Sequence, residues 1–243
     1  MLRDIDALCD GFQETVKKSK EQCGDTLEEM RQFIFMLNSF FKTFHESFQL
    51  GKEYRVKIGS SLTLTCSIEL VRISGHILFF SYSGLYRQAF NNIRYALESI
   101  VQAIYLDDRH PNTQLETKIE ILKEVENQQD YRVNKLITKL EGISEYKDSL
   151  QKEYSNLSKN IHHSHKQITA TLDDLRRDDT IPVTINCEEI VRIFESLRRM
   201  YDMFLFLFIT HFPELKEIVE KNDKFIGYVK KYNLPMLSKL FRI

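Results

Sequence analysis

The residues best suited to acid–base chemistry form a short run in the second half of the chain. Three of the seven histidines, His162, His163 and His165, fall within four residues, and Lys159 and Asn160 precede them. Histidine is the usual proton shuttle near neutral pH, and a nearby cation can stabilise charge that develops on a phosphate during cleavage. The run therefore predicts a metal-independent ribonuclease site, with His165 or His162 as general acid or base and Lys159 as a phosphate contact.

Two other interpretations of the same run stay open. His162 and His165 are three residues apart and would share one helix face, as metal-binding histidines do in helical bundles. Such a site also needs inward-facing carboxylates, and only Glu98 sits on an otherwise apolar segment. We therefore expect no metal and no cofactor. The plainest interpretation is a polar helix with partly exposed histidines that have no chemical role.

Most familiar catalytic signatures are absent from the sequence. It has no P-loop, no G-x-G-x-x-G, no G-x-S-x-G, no H-E-x-x-H and no EF-hand loop. With only eight glycines in 243 residues, no glycine-rich phosphate cradle can be built. The sequence thus excludes the common nucleotide hydrolases, serine hydrolases and zinc proteases.

The histidine run resembles the signature of the HEPN superfamily of helical domains. That signature is an arginine, commonly followed by a polar residue such as Asn, and a histidine four to six residues beyond the arginine. Lys159 and Asn160 precede His165 by the matching interval, with lysine in the arginine position. Lysine cannot give the planar bidentate phosphate contact of arginine. The resemblance implies an all-helical fold, a link to RNA handling or antiviral defence, and catalytic sites formed across a homodimer.

A second stretch supports the same resemblance. Arg94-x3-Glu98 looks like the helix that HEPN-like proteins pair with a later Leu-Ser-x-x-x-His segment, here Leu157-Ser158 to His162. Arg87, on nearly the same face, and Arg94 are then candidate phosphate-binding residues. Equally, Arg94 and Glu98 at i, i+4 can neutralise each other as a buried ion pair that fixes helix register.

Charge is distributed unevenly, although the formal net charge is only -1. Residues 221–243 carry six cations and one anion, and Lys230 and Lys231 within them are further candidate phosphate contacts. Residues 107–130 carry seven anions and three cations. No global positive field exists to attract nucleic acid, so any such binding must be local, through a partner or the basic C-terminal segment.

Composition and periodicity predict an all-α protein, an irregular bundle of about eight to ten helices. Glycine (8) and proline (4) are too scarce for a β-sandwich or barrel, which needs frequent turns. Helices are predicted at 2–22, 25–48, 62–82, 85–106, 114–126, 130–140, 144–161, 187–211, 213–232 and from 235. Many β-branched residues make a strand the competing prediction for 62–82. The phenylalanine stripe of 25–48 is predicted to be core.

The same pattern predicts how the chain is organised. A main helical bundle with the HEPN-like segment covers 1–172, and 173–186 is a loop or linker. Helices of 187–243 are predicted to pack on that bundle. The four cysteines (Cys9, Cys23, Cys66, Cys187) form no C-x-x-C pair and are predicted to be reduced thiols in a cytoplasmic protein. The charged N-terminus is not predicted to be a signal peptide, and no apolar run is predicted to insert into a membrane.

Three functions follow in order of preference. The first is a non-catalytic helical interaction protein, an accessory subunit of a nucleic-acid-handling or antiviral defence complex. The 17 Phe and 11 Tyr residues of the chain are enough to cover an interface as well as a core. The second is a HEPN-type endoribonuclease that acts as a homodimer. The third is a nucleic-acid binder that uses the basic C-terminal segment. A protein partner or a homodimer is expected in the first two cases.

Overall fold

Helices form nearly all of the structure, a computed structural model that describes residues 2–49, 60–125, 128–140, 143–161 and 185–243. Ten α-helices and no strand occur in these ranges, so the predicted all-α multi-helix bundle is confirmed. In chain order they are α1 (Leu2–Gln49), α2 (Leu62–Tyr82), α3 (Tyr86–Arg109), α4 (Leu115–Val125), α5 (Val133–Lys139), α6 (Lys147–Ile161), α7 (Cys187–His211), α8 (Glu214–Glu220), α9 (Asp223–Lys231) and α10 (Pro235–Phe241).

Helix α2 has the bounds that the sequence predicts, and the competing strand prediction is wrong. Ser61 caps its first turn by accepting a hydrogen bond from the Leu64 backbone N–H at 3.2 Å. Within the part of the chain that the structure describes, α2 alone is long and apolar enough to cross a membrane, and 44% of that window is buried in the protein. The core helix of a soluble protein meets the same criteria, so length and composition alone do not make α2 a membrane-spanning helix.

Three buried serines at seven-residue intervals explain how α2 packs at the centre. The hydroxyls of Ser67, Ser74 and Ser81 donate to carbonyls one turn earlier in the same helix, at 2.7, 2.7 and 2.8 Å. The Tyr201 hydroxyl of α7 contacts the Ser74 hydroxyl and donates to the Leu70 carbonyl at 3.0 Å. Because these polar atoms are satisfied locally, the small-residue face of α2 can be buried at little cost.

The predicted break after residue 22 is a kink and not the end of a helix. Only Cys23 departs from helical geometry within α1, with φ -127° and ψ 22°, and the helix resumes at once. The prediction of two separate helices is wrong because the apolar stripe continues through the kink, where Cys23 and Leu27 are both buried. The phenylalanine stripe beyond it lies in the core as predicted, with Phe33, Phe41 and Phe44 almost fully buried.

Helix α7 forms the middle of the core and again has the predicted bounds. The Asn186 side chain caps it by accepting from the Glu189 backbone N–H at 3.2 Å. Helix α7 packs against α1, α3 and α10. One aromatic cluster joins α1, α7 and the turn after α9, and its ring centroids approach to 4.8 Å for Phe44–Phe208 and to 4.8 Å for Phe33–Tyr232.

Two other boundaries differ from the sequence prediction. Residues 213–232 form two helices, α8 and α9, because the Asn222 side chain accepts from the Phe225 backbone N–H at 3.1 Å and starts a new helix. Residues 130–140 divide into a 3₁₀ turn, Gln129–Tyr131, and the short helix α5. The predicted linker lies outside the described residues except for 185 and 186.

A disulfide corrects the prediction that the cysteines are reduced. Cys23 and Cys187 are 164 residues apart in sequence, yet their Cα atoms are 5.5 Å apart and their sulfurs are bonded. The bond joins the kink of α1 to the first residue of α7. Sequence spacing cannot reveal such a pair, because only the fold brings the two cysteines within bonding distance. Cys66 is a free thiol, and the side chain of Cys9 lies outside the described residues.

A buried aspartate fixes the last helix. The Asp202 carboxylate of α7 accepts from the Met236 and Leu237 backbone N–H groups, at 2.9 and 3.0 Å, and so caps α10. Burial raises the pKa of Asp202 to about 6, although the two backbone hydrogen bonds act in the opposite direction. No cation contacts this carboxylate in the described part of the chain.

Reduction of the disulfide is expected to lower the free energy of unfolding by about 2–5 kcal/mol. The bond closes a long loop in the unfolded chain and so reduces the conformational entropy of the unfolded state. Urea denaturation with and without a phosphine reductant measures this loss. A Cys23→Ala/Cys187→Ala variant is the control, since the reductant should not change its midpoint. Both cysteines should also resist alkylation before reduction. Full alkylation of both in the untreated protein would contradict the bond.

The stability that Asp202 contributes should fall as pH rises. Its folded-state pKa of about 6 lies above the ordinary value of 3.8, so the folded protein binds the proton more tightly. The unfolding free energy of the wild type minus that of Asp202→Asn should therefore decrease by up to about 3 kcal/mol between pH 4 and pH 7. Denaturation at each pH measures it, with exposed Asp223→Asn as control. A flat or rising difference would exclude the burial effect.

Candidate functional site

The structure describes only the residues at the start of the predicted histidine site. His162 and His165 lie outside the described residues. Lys159 is exposed in the last turn of α6, where it lines a pocket of about 320 Å³ together with Arg192 and Arg199 of α7. The structure therefore places three cations beside the start of the predicted site.

Carboxylates balance much of the charge in this pocket, which we call the α6–α7 pocket. The Arg199 Nε atom donates to Glu153 at 2.8 Å, and Glu153 is buried. A second carboxylate, Glu195, lies 3.6 Å from the same guanidinium. Arg192 pairs with Glu189 at 2.5 Å. Few positive charges are thus left over for a phosphate, and the phosphate contact predicted for Lys159 stays a prediction.

Arg94 and Glu98 form an ion pair, which is one of the two interpretations of their i, i+4 spacing. The Arg94 Nε atom donates to Glu98 Oε1 at 2.8 Å, and both side chains are 27% exposed. Tyr154 of α6 completes a triad: its hydroxyl donates to Glu98 Oε1 at 2.8 Å and accepts from Arg94 Nη2 at 3.1 Å. The guanidinium also lies over the Tyr154 ring, 5.2 Å from its centroid.

Tyr154 is a functional-site residue that sequence reasoning missed. Burial and the hydrogen bond to Glu98 raise its pKa, so its hydroxyl is protonated at neutral pH and can donate. The triad joins α3 to α6 across 56 residues of sequence. The i, i+4 spacing indicates the Arg94–Glu98 pair, but no local pattern indicates a partner so far along the chain.

A cleft of about 990 Å³ lies beside this triad, and we call it the α3–α5 cleft. It is lined by residues of α2, α3, α4 and α5, by the 3₁₀ turn Gln129–Tyr131, and by Tyr154. From α3 come Arg94, Tyr95 and Glu98. Its volume is at the upper end of the range of about 300–1,000 Å³ that small-molecule sites occupy.

Four cations and a single carboxylate line the α3–α5 cleft within the described residues. Arg94 is engaged in the triad, and so is the carboxylate, Glu98. Lys123, Arg132 and Lys135 are exposed, and no described carboxylate lies within 4 Å of them. Three positive charges without a described counter-ion therefore face one concave surface, which is a suitable environment for an anionic ligand.

The same region also carries an acidic stripe. Glu116, Glu120 and Glu124 are exposed on α4 at four-residue steps. None of them lines the cleft, because the cleft side of α4 is formed by Ile119, Leu122 and Lys123 together with Val125. Residues 107–130 are acidic overall, yet α4 within them places Lys123 in the cleft and its three glutamates outside it.

The other predicted phosphate-binding residues are not brought together. Arg87 is half-buried on α3 and does not line the cleft. Lys230 and Lys231 lie in the last turn of α9, where Lys231 donates to the Gln32 side chain of α1 at 3.3 Å and lies over the Tyr232 ring. Of the four predicted residues, the structure places only Arg94 in the cleft.

A thiol lies at the edge of the cleft but is unreactive. Burial raises the pKa of Cys66 to about 12, so the nucleophilic thiolate is absent at neutral pH. The thiol donates weakly to the Ser99 carbonyl, with a sulfur–oxygen distance of 3.9 Å. Nor do any three His, Cys, Asp or Glu side chains come together as a possible metal site within the described ranges.

Comparison with known proteins adds no relative. No family model matches the chain, and no curated protein or solved structure matches it. The HEPN resemblance therefore rests on the sequence motifs alone.

Proposed function

We propose that this protein is a non-catalytic helical interaction protein, an accessory subunit of a nucleic-acid-handling or antiviral defence complex, and that it contacts nucleic acid through the α3–α5 cleft. One observation carries the proposal: Lys123, Arg132 and Lys135 line one concave surface and have no described counter-ion. Cations held in this way neutralise phosphates and release condensed counter-ions, which is the main source of sequence-independent affinity for nucleic acid.

The chemistry of the cleft favours binding over catalysis. A general base needs a free carboxylate or imidazole within reach of the substrate. The one carboxylate among the described lining residues, Glu98, accepts from both Arg94 and Tyr154 and is held by them. The Cys66 thiol is protonated and cannot act as a nucleophile. Each group that could react is therefore either engaged or in its inactive protonation state.

The proposed partner is a protein subunit or a second copy of the chain. Ile68 and Phe79, both on α2, are more than half exposed. Exposed aromatic and aliphatic side chains of this size are typical of residues that become buried at interfaces. The proposed location is the cytoplasm, where reductants act on accessible disulfides. Burial of Cys23 limits their access to this one.

Charge reversal in the cleft is expected to weaken binding to a fluorescein-labelled single-stranded RNA. Arg132→Glu/Lys135→Glu should reduce affinity at least about tenfold, and the slope of log affinity against log salt should become shallower by about 1.4 if two phosphate contacts are lost. Fluorescence anisotropy across a salt series measures both quantities.

Lys224→Glu/Lys230→Glu on α9 is the matched comparison, because it changes the net charge by the same amount. It should alter affinity less than about threefold, since only contacts with phosphate contribute to the salt slope. An equal loss in both variants would mean that total charge controls binding. A loss confined to the α9 variant would assign binding to the basic C-terminal segment.

The second candidate function is a metal-independent HEPN-type endoribonuclease that acts as a homodimer. It is favoured by the position of Lys159, which lines the α6–α7 pocket with Arg199 and lies three residues before His162. In this proposal His165 or His162 transfers protons, and Lys159 contacts the scissile phosphate.

Cleavage of a labelled RNA in the presence of EDTA tests the second function. If it is correct, His165→Ala should reduce the cleavage rate by about 10²–10⁴-fold, the usual contribution of a general acid or base, and leave the fold unchanged by circular dichroism. Lys152→Ala, an exposed lysine of the same helix, is the control. Equal cleavage by wild type and by a His162→Ala/His165→Ala variant, or no cleavage by either, would reject the nuclease.

A further inference from the structure

One aromatic ring in the α3–α5 cleft is more than half exposed. The Tyr95 side chain is on α3 next to Arg94, and the residue is 53% exposed although it lines a concave surface. In the part of the chain that the structure describes, its ring makes no aromatic or cation–π contact. Ile119, across the cleft on α4, is also 38% exposed. An apolar surface is thus left uncovered beside the three cations.

The other two tyrosines that line the cleft are already occupied. The Tyr131 ring meets Tyr105 edge-on at 5.9 Å, and the Lys139 ammonium lies 5.9 Å from its centroid. The Tyr154 ring is covered by the Arg94 guanidinium. Tyr95 therefore differs from both, because no ring or cation of the described residues lies over its face.

We propose that the ligand of the cleft is an unpaired segment of nucleic acid, with one base stacked on Tyr95 and its flanking phosphates held by Arg132 and Lys135. This inference rests on the proposed function and specifies its ligand. Stacking on aromatic side chains combined with a basic groove is how proteins bind single strands without reading sequence. A base within a duplex has both faces covered by its neighbours, so only an unpaired base can lie on a tyrosine.

The polar residues of the cleft fit the same ligand. Gln102, Gln129 and Asn134 line it, and each side-chain amide carries both hydrogen-bond donors and an acceptor. Such groups can pair with the edges of bases whose Watson–Crick positions are free. The cleft thus supplies the three contacts that an unpaired nucleotide needs: an aromatic face for the base, amides for its edge and cations for its phosphates.

The test measures binding of a fluorescein-labelled single-stranded RNA of mixed sequence, and of the same strand annealed to its complement, by wild type and three variants. Tyr95→Ala should weaken binding to the single strand by about 5- to 150-fold, the usual contribution of one stacked base. Tyr95→Phe keeps the aromatic face and should stay within about twofold of wild type. Phe35→Ala removes an exposed aromatic residue on α1, outside the cleft, and is the matched control.

A second readout reports stacking itself. The fluorescence of 2-aminopurine in the strand should be quenched on binding to wild type and to Tyr95→Phe, but not on binding to Tyr95→Ala. Circular dichroism confirms that each variant is folded. Single-strand affinity that is unchanged in Tyr95→Ala, or duplex affinity equal to single-strand affinity, would overturn the inference and leave the electrostatic proposal standing. Failure of the wild type to bind any RNA at low salt would overturn both.

Discussion

One buried ion pair determines how the helices around the cleft meet. Asp107, near the end of α3, is buried together with Lys118 of α4, and their charged atoms are 2.8 Å apart. The carboxylate also accepts from the Ser61 hydroxyl and from the Leu62 and Thr63 backbone N–H groups, at 2.7, 3.0 and 2.9 Å, and so caps α2. Burial alone would raise the pKa of Asp107, but Lys118 and these donors outweigh it and lower the pKa. A buried charge is tolerated only when a counter-ion and hydrogen bonds offset the cost of removing it from water, as they do here.

This constraint also positions the candidate site. Asp107 and the triad residue Arg94 belong to the same continuous helix, α3. The α3 residues that line the cleft and the aspartate that holds α4 are therefore fixed relative to each other. Lys118 fixes α4 against the end of that helix, and Lys123, on the same short helix, then lines the opposite wall. Loss of either partner would leave an uncompensated buried charge, which typically costs about 3–5 kcal/mol. Stability and the geometry of the cleft therefore depend on the same pair, although neither residue of the pair contacts the proposed ligand.

The sequence predicts the local features of this fold well and its long-range contacts poorly. The bounds of α2 and α7 follow from periodicity and from the caps Ser61 and Asn186, which are encoded within a few residues. The Cys23–Cys187 bond joins residues 164 apart, and no pattern of spacing predicts it. The cleft was missed for a related reason: its three cations come from two separate segments, one of them in the most acidic part of the chain. Conversely, Lys230 and Lys231 were predicted from local charge density, and Arg87 and Arg94 from the HEPN resemblance. Neither criterion determines the cavity that a side chain lines.

The distribution of charge also bears on how the proposed function would operate. A net charge of -1 and the acidic stripe of α4 give the protein no long-range attraction for a polyanion. Electrostatic steering would then contribute little, and affinity would depend on short-range contacts made inside the cleft. In the proposed complex, three cations and one stacked base would give modest, salt-sensitive binding, because each phosphate contact weakens as ionic strength rises. Binding of this kind becomes effective when a partner holds the RNA close to the cleft and raises its local concentration. The same physical argument, which predicts weak binding of nucleic acid by the chain alone, thus favours the proposed role of an accessory subunit.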